Sequence, residues 1–274
     1  MSRLFDMITP GKPLIAAHRG VSGGNIPPNT EAAFRAALMQ GAEIIELDVT
    51  RCADGELFIF HPGMEKPHLG LSGPDALKRM TAEEVRRLRY VNHDGTPTPW
   101  GLMTLQEALE LLRNKCVVNI DKFQRYPGDI ARVVRDMGLQ DQVLVKTDAK
   151  EELFRAVEEL APDLPYIAVL REKDEVSQSL RSRPMRYLGT EVIFTSEDSP
   201  VASPDYTARM HKQGLLTWVN AIVYDTRAVL TAGHTDDLAI TGDPNAGWGW
   251  LIDRGYDIIQ TDWVAQLRDY MKNR

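Results

Sequence analysis

Along the chain, short apolar runs alternate with amphipathic stretches. The runs are PLIAA (13–17), EIIELDV (43–49), ELFIF (56–60), CVVNI (116–120), QVLVK (142–146), YIAVL (166–170), EVIFT (191–195), GLLTWV (214–219) and DIIQT (257–261). They are short, often β-branched, and usually bounded by Gly, Pro, Asp or Lys, which is how buried strands read. Between them, apolar positions at helical spacing predict helices in TEAAFRAALMQG (30–41), TAEEVRRLR (81–89), TLQEALELLRN (104–114), GDIARVVRDMG (128–138), KEELFRAVEEL (150–160), SPDYTARMHKQG (203–214) and NAGWGWLIDRG (245–255). Thr30 caps the first of these and Gly41 stops it. Alternation of strand and helix about eight times predicts an α/β fold, a (β/α)8 TIM barrel. A doubly wound open sheet is the competing architecture. No linker or low-complexity tract divides the chain, so the expectation is one barrel domain over 1–274. Residues 62–100 read as an insertion after the second barrel strand, and 221–244 as a second long loop.

Composition changes this picture little. The chain has 274 residues, 43% hydrophobic and 26% charged, with a formal net charge of −7. There is no Lys/Arg run, which speaks against a nucleic-acid partner. Cys52 and Cys116 lie in different apolar segments and make no disulfide framework, so they are expected as inert thiols in a reducing, cytoplasmic setting. The first residues, MSRLFDMITPGKP, lack the apolar core of a signal peptide. No run approaches the roughly 20 apolar residues of a membrane span.

Catalytic groups of a (β/α)8 barrel sit at the C-terminal ends of its strands. The first strand ends in His18-Arg19. The second carries Glu46 and Asp48, and the short strand after it ends in His61. The next ends in Asn119-Ile120-Asp121-Lys122, and the one after that in Lys146. The seventh carries Trp218 and Asn220, and the last ends in Thr261-Asp262. Glu46 and Asp48 are two apart in a strand, so both point to one face while Ile45, Leu47 and Val49 point to the other. Two carboxylates converging inside a barrel repel each other unless a cation joins them. Asp121 has the parity to be a third. Three oxygen ligands with no His or Cys suit Mg²⁺ or Ca²⁺ better than Zn²⁺. Pairing of Glu46 and Asp48 with a neighbouring Arg or Lys is the structural alternative, and loop capping is that of Asp121. His68, His93, His211 and His234 are expected on the solvated surface, and Trp248 and Trp250 in packing.

HRG at 18–20, NT at 29–30, GAEIIELDV at 41–49, ADG at 53–55 and His61 resemble the glycerophosphodiester phosphodiesterase family. MTLQEAL at 103–109, TWVN at 217–220 and GYDIIQTD at 255–262 look like its later landmarks. The resemblance spans residues 14 to 265. It implies a (β/α)8 barrel that hydrolyses glycerophosphodiesters to an alcohol and sn-glycerol 3-phosphate. His18 and His61 would be general acid and base. Arg19 would bind phosphate, with Lys146 and Trp218 beside it. Glu46, Asp48 and Asp121 would hold one divalent ion. The chain departs from the family pattern at Pro28, where Glu usually precedes Asn-Thr, and at Pro62, where Asp usually follows the second His. It also departs at Asp121, commonly Glu, and at Phe123, where an inward Lys is usual. Lys122 has the wrong parity for that role unless its strand ends at Asp121. Lys146 could then supply the cation instead.

The partner implied is a small-molecule phosphodiester, with a homo-oligomer allowed. The competing functions are a metal-dependent lyase on the same barrel, a family member altered to bind or cleave another phosphorylated ligand, and a phospholipase acting on lipid diesters. The acidic balance and lack of an amphipathic anchor speak against the last.

Overall fold

The computed structural model describes residues 3–9, 11–73, 75–225 and 227–274. The strands are β1 (Leu14–Ala17), β2 (Ile44–Arg51), β3 (Leu57–Ile59), β4 (Val117–Asp121), β5 (Val143–Asp148), β6 (Tyr166–Arg171), β7 (Tyr187–Ile193), β8 (Leu216–Asn220) and β9 (Ile258–Thr261). Eight of them pair in parallel in the order β1-β9-β8-β7-β6-β5-β4-β2, and β1 pairs with β2 to close the barrel. The odd strand, β3, runs antiparallel to β2 at its far end, with Thr50 opposite Phe58. The (β/α)8 architecture expected from the apolar pattern is therefore the one observed, and the open sheet is excluded by the β1–β2 pairing.

Alternation along each strand sorts side chains to two cores. Leu14, Ala16, Ile44, Val117, Leu144 and Ile258 fill the lower barrel interior, with Trp218 above them. Ile45, Leu47, Val49, Val118, Ile120 and Val145 face outward against the helices. Each inward row then turns from apolar to ionisable near its C-terminal end. β2 goes from Ile44 to Glu46 and Asp48, β4 from Val117 to Asn119 and Asp121, and β5 from Leu144 to Lys146. Burying apolar groups at the bottom stabilises the barrel, and the open end is left for polar chemistry.

The excursion 62–100 packs against β3 around a small second core. Phe58, Phe60, Leu69, Leu77, Val85 and Tyr90 pack together there. The helix Ala82–Arg87 starts with a capping box between Thr81 and Glu84. Three expectations need correction. β7 begins at Tyr187, before the EVIFT run. The stretch 221–244 contains a helix, Asp236–Thr241, capped by Thr235. His234 is buried rather than solvated. It stacks on Trp250 with ring centroids 3.7 Å apart, and its ring nitrogens lie 2.6 Å from the Ala246 carbonyl oxygen and 3.1 Å from Glu197 Oε1. Among the described residues no helix is long and apolar enough to cross a membrane.

Candidate active site

The site begins with a backbone turn. After β1 the chain enters the left-handed region at Arg19 (φ 57°) and Gly20 (φ 79°). A Cβ on Gly20 would lie 2.7 Å from the Ala33 carbonyl carbon, so glycine is required there. The turn sends the Arg19 amide to Glu46 Oε2 (2.9 Å) and its Nε to Asp48 Oδ2 (3.0 Å). A non-glycine residue in this conformation is strained, and the two carboxylates hold it. Asn29, also left-handed (φ 60°), donates its amide N–H to the Arg19 carbonyl (2.9 Å). Its side chain donates to Asp48 Oδ2 (3.0 Å) and accepts from the Asp48 amide (3.3 Å). Thr30 next to it caps the helix Glu31–Met39. The His-Arg-Gly and Asn-Thr motifs are thus two halves of one clamp on the acidic end of β2.

Glu46, Asp48 and Asp121 each offer an oxygen, and these oxygens lie within 4.8 Å of one another. Burial, with Asp48 beside it, pushes the Glu46 carboxyl up to about 7. Burial also opposes ionisation of Asp121, but Lys146 and Lys122 outweigh it and hold that carboxyl well below the usual carboxylate range. Asp48 Oδ1 is buried with no hydrogen-bond partner. A buried oxygen-only cluster with an orphaned carboxylate oxygen is a setting that a hard divalent cation would satisfy. These residues therefore fit a metal ion.

The two histidines occupy opposite settings. His18 Nδ1 lies 2.9 Å from Asp262 Oδ1. Burial disfavours its charged form, but Asp262 and Glu46 outweigh burial and raise its pKa. His61, after β3, has Nε2 at 3.8 Å from Asp48 Oδ1. Burial, aided by Arg19 and Lys122, lowers His61 to about 4 against the pull of Asp48.

The lysines resolve a parity question. β4 ends at Asp121, and Lys122 is left-handed (φ 59°), so its side chain folds back until Nζ is 2.7 Å from Asp121 Oδ2. Phe123 goes to the outer core. Lys146 is buried, with Nζ 2.6 Å from Glu191 Oε2 and 4.6 Å from the centre of the Trp218 ring. Asn220 links the two, donating to Glu191 Oε1 (2.7 Å) and accepting from Trp218 Nε1 (3.3 Å). Trp218 is fully buried beneath Lys146 and does not reach the cavity wall.

Above these groups is a cavity of about 250 Å³, bordered by Glu46, Asp121, Lys122, Lys146, Glu191 and Tyr224. The structure brings His18, Arg19, Glu46, Asp48, His61, Asp121 and Lys146 to one end of the barrel. Sequence reasoning missed Glu191 and Tyr224, and it did not pair Asp262 with His18. Tyr224 packs edge-on against His18 at 5.8 Å between centroids. Nothing in the loop sequence around it signals that contact.

The fold and site define a (β/α)8 barrel with an acidic, cation-ready centre framed by two histidines and an arginine. A family model described as a domain of unknown function matches residues 164–271. The glycerophosphodiester phosphodiesterase of Caldanaerobacter subterraneus subsp. tengcongensis is 33% identical over 161 residues. That match covers 56% of this chain and 65% of the relative, so the chain spans just under two thirds of that protein's length. A solved glycerophosphoryl diester phosphodiesterase from Parabacteroides distasonis superposes with a TM-score of 0.75 at 18% identity, covering 95% of this chain and 86% of that one. An Oleispira antarctica phosphodiesterase solved with the product sn-glycerol-3-phosphate gives 0.68 at 16% identity, covering 98% and 99%. At such identities these two structures speak for the fold alone. The curated relatives and the motif clamp together make the chain similar to the glycerophosphodiester phosphodiesterases.

Proposed function

We propose that the protein is a metal-dependent phosphodiester hydrolase that cleaves glycerophosphodiesters to an alcohol and sn-glycerol 3-phosphate. The observation that carries the reading is the pair of histidines in opposite settings at one carboxylate cluster, His18 raised and His61 lowered. Such a split supports His18 as the acid and His61 as the base. The product bound in the Oleispira neighbour is in keeping with this substrate class.

Glu46, Asp48 and Asp121 would hold one Mg²⁺ or Ca²⁺, which when bound supplies positive charge against the phosphoryl oxygens. Arg19 and Lys122 add fixed positive charge on either side of the carboxylates. Lys146 adds a third, and each of the three cations is itself paired with a carboxylate, Arg19 with Asp48, Lys122 with Asp121 and Lys146 with Glu191. His61, neutral, takes a proton from the attacking oxygen, whether of water or of a neighbouring substrate hydroxyl. His18, kept protonated by Asp262, gives one to the departing alcohol. The general acid and base each contribute about 10²–10⁴-fold.

Single variants test the roles. His18→Ala and His61→Ala are each expected to lower turnover of an alkyl glycerophosphodiester by about 10²–10⁴-fold. On a p-nitrophenyl ester, whose leaving group needs no proton, His18→Ala recovers most of its activity and His61→Ala does not. The opposite pattern reverses the assignment. Full activity of either variant on the alkyl ester removes that histidine from the reaction.

A further inference from the structure

The cavity above Glu46 and Asp121 is flanked by a second hollow. His18 and Arg19, with Tyr224, form the inner end of an open groove of about 570 Å³. At Ser22, Pro28 and His68 this groove merges with a further hollow of about 720 Å³. The second hollow lies between the loop 20–28 and the insertion. The two hollows are therefore one continuous channel running outward from His18.

Its outer wall is mostly apolar, and its inner wall mixes apolar side chains with Gln40, His68 and Gln266. Val21, Pro28, Val223 and Trp263 border the inner part. Ile26, Pro27, Pro67 and Val91 border the outer part. Two hydrogen bonds tie the walls together, from Asn92 Nδ2 to Asn25 Oδ1 (2.9 Å) and from Trp100 Nε1 to the Asn25 carbonyl (3.0 Å). The width is thus set by the fold. Charged side chains along the channel are already engaged or turned to water. Arg19 is paired with Asp48 and Asp262 with His18, and Lys66 is exposed. Pro28 stands at the junction, where the family resemblance leads one to expect a glutamate. A carboxylate there would charge the junction, and proline leaves that position uncharged.

Tyr224 borders both the smaller cavity and the channel, so the reacting phosphorus would sit between them. The smaller cavity is polar, with Lys122, Lys146, Asn220 and Gln260 beside the carboxylates Glu46, Asp121 and Glu191, a lining that suits the hydroxyls and phosphate of a glycerol phosphate when a cation is bound. The channel is the side that His18 faces. We infer that the leaving alcohol of this enzyme's substrate carries an extended, uncharged, apolar body that lies along the channel between the loop 20–28 and the insertion. The inference rests on the phosphodiesterase reading above. Hydrolysis forms one P–O bond from the attacking oxygen and breaks the P–O bond to this alcohol, which departs with the proton from His18.

The test is a series of sn-glycerol 3-phosphate esters of ethanol, hexanol and decanol, each assayed below its aggregation concentration. Buried methylenes favour binding, so kcat/KM is expected to rise at least tenfold from ethyl to decyl. Val91→Trp, in the outer part, should cut the decyl-to-ethyl ratio at least fivefold. Pro28→Glu should do the same at the junction, and it serves if the tryptophan variant does not fold. A parallel arm places the ten-carbon chain on the glycerol instead, with ethanol leaving, and is expected to gain nothing. Equal rates across the alcohol series overturn the inference, as does a gain confined to the glycerol arm. In both of those outcomes the ethyl ester is still cleaved, so the phosphodiesterase reading stands. Cleavage of no ester at all removes that reading and this inference with it.

Discussion

His18 and Asp262 lie near opposite ends of the chain and meet at 2.9 Å because β1 and β9 are neighbours in the closed sheet. Asp262 is itself held, its amide donating to Asp236 Oδ2 (2.9 Å) from the helix Asp236–Thr241. The pair raises the His18 pKa, so the imidazolium persists to higher pH than it would alone. If His18 must be protonated to act, its deprotonation sets the alkaline limb of the pH–rate profile. Asp262→Asn removes the negative partner and lowers the His18 pKa, so that limb should move to lower pH. At alkaline pH, kcat/KM should fall about tenfold or more. A profile recorded from pH 5 to 10 on both proteins checks this, and an unshifted alkaline limb denies His18 the acid role. Asp262 was visible in the sequence as an ionisable strand end. Its partner was not, because the pairing depends on barrel closure and not on any local spacing.

Among the elements, β7 shows how a backbone irregularity places a functional group. Tyr187 faces the helices and Leu188 the lower interior. Strict alternation would then turn Glu191 outward. The register against β6 instead jumps from Tyr166–Tyr187 to Ile167–Gly189, and past this bulge Glu191 points in, to Lys146. Gly189 makes the bulge possible, since a Cβ there would lie 2.0 Å from the Leu216 carbonyl oxygen of β8. Gly189→Ala should therefore cost about 3 kcal/mol of stability, since overpacking a close backbone contact forces strands apart. Urea denaturation reads that directly, and an unchanged midpoint would show that the β7–β8 contact can give. The EVIFT run predicted a strand here but gave no sign of the bulge. This is why Glu191 escaped notice while Glu46, Asp48 and Asp121, on regular strands, were placed by parity alone. Lys122 is the companion case. The end of β4 at Asp121 and one left-handed residue overrode a parity rule that holds only inside a strand.

At the scale of the molecule, the net charge of −7 gives no long-range attraction for an anionic ester. Binding then falls to local charge, and the barrel concentrates it at one end with Arg19, Lys122, Lys146 and the carboxylate cluster. Closure of eight parallel strands was legible because each run was apolar and bounded. The helix Asp236–Thr241 and the buried His234 were not, since both belong to a loop whose order comes from packing on Trp248 and Trp250 rather than from periodicity. The most direct measurement is release of sn-glycerol 3-phosphate from a panel of glycerophosphodiesters with Mg²⁺, with Ca²⁺ and with EDTA. Release that one of the two ions supports and EDTA abolishes is the result expected. Release undiminished by EDTA would contradict the cation role of Glu46, Asp48 and Asp121, and no release under any condition would contradict the proposed reaction.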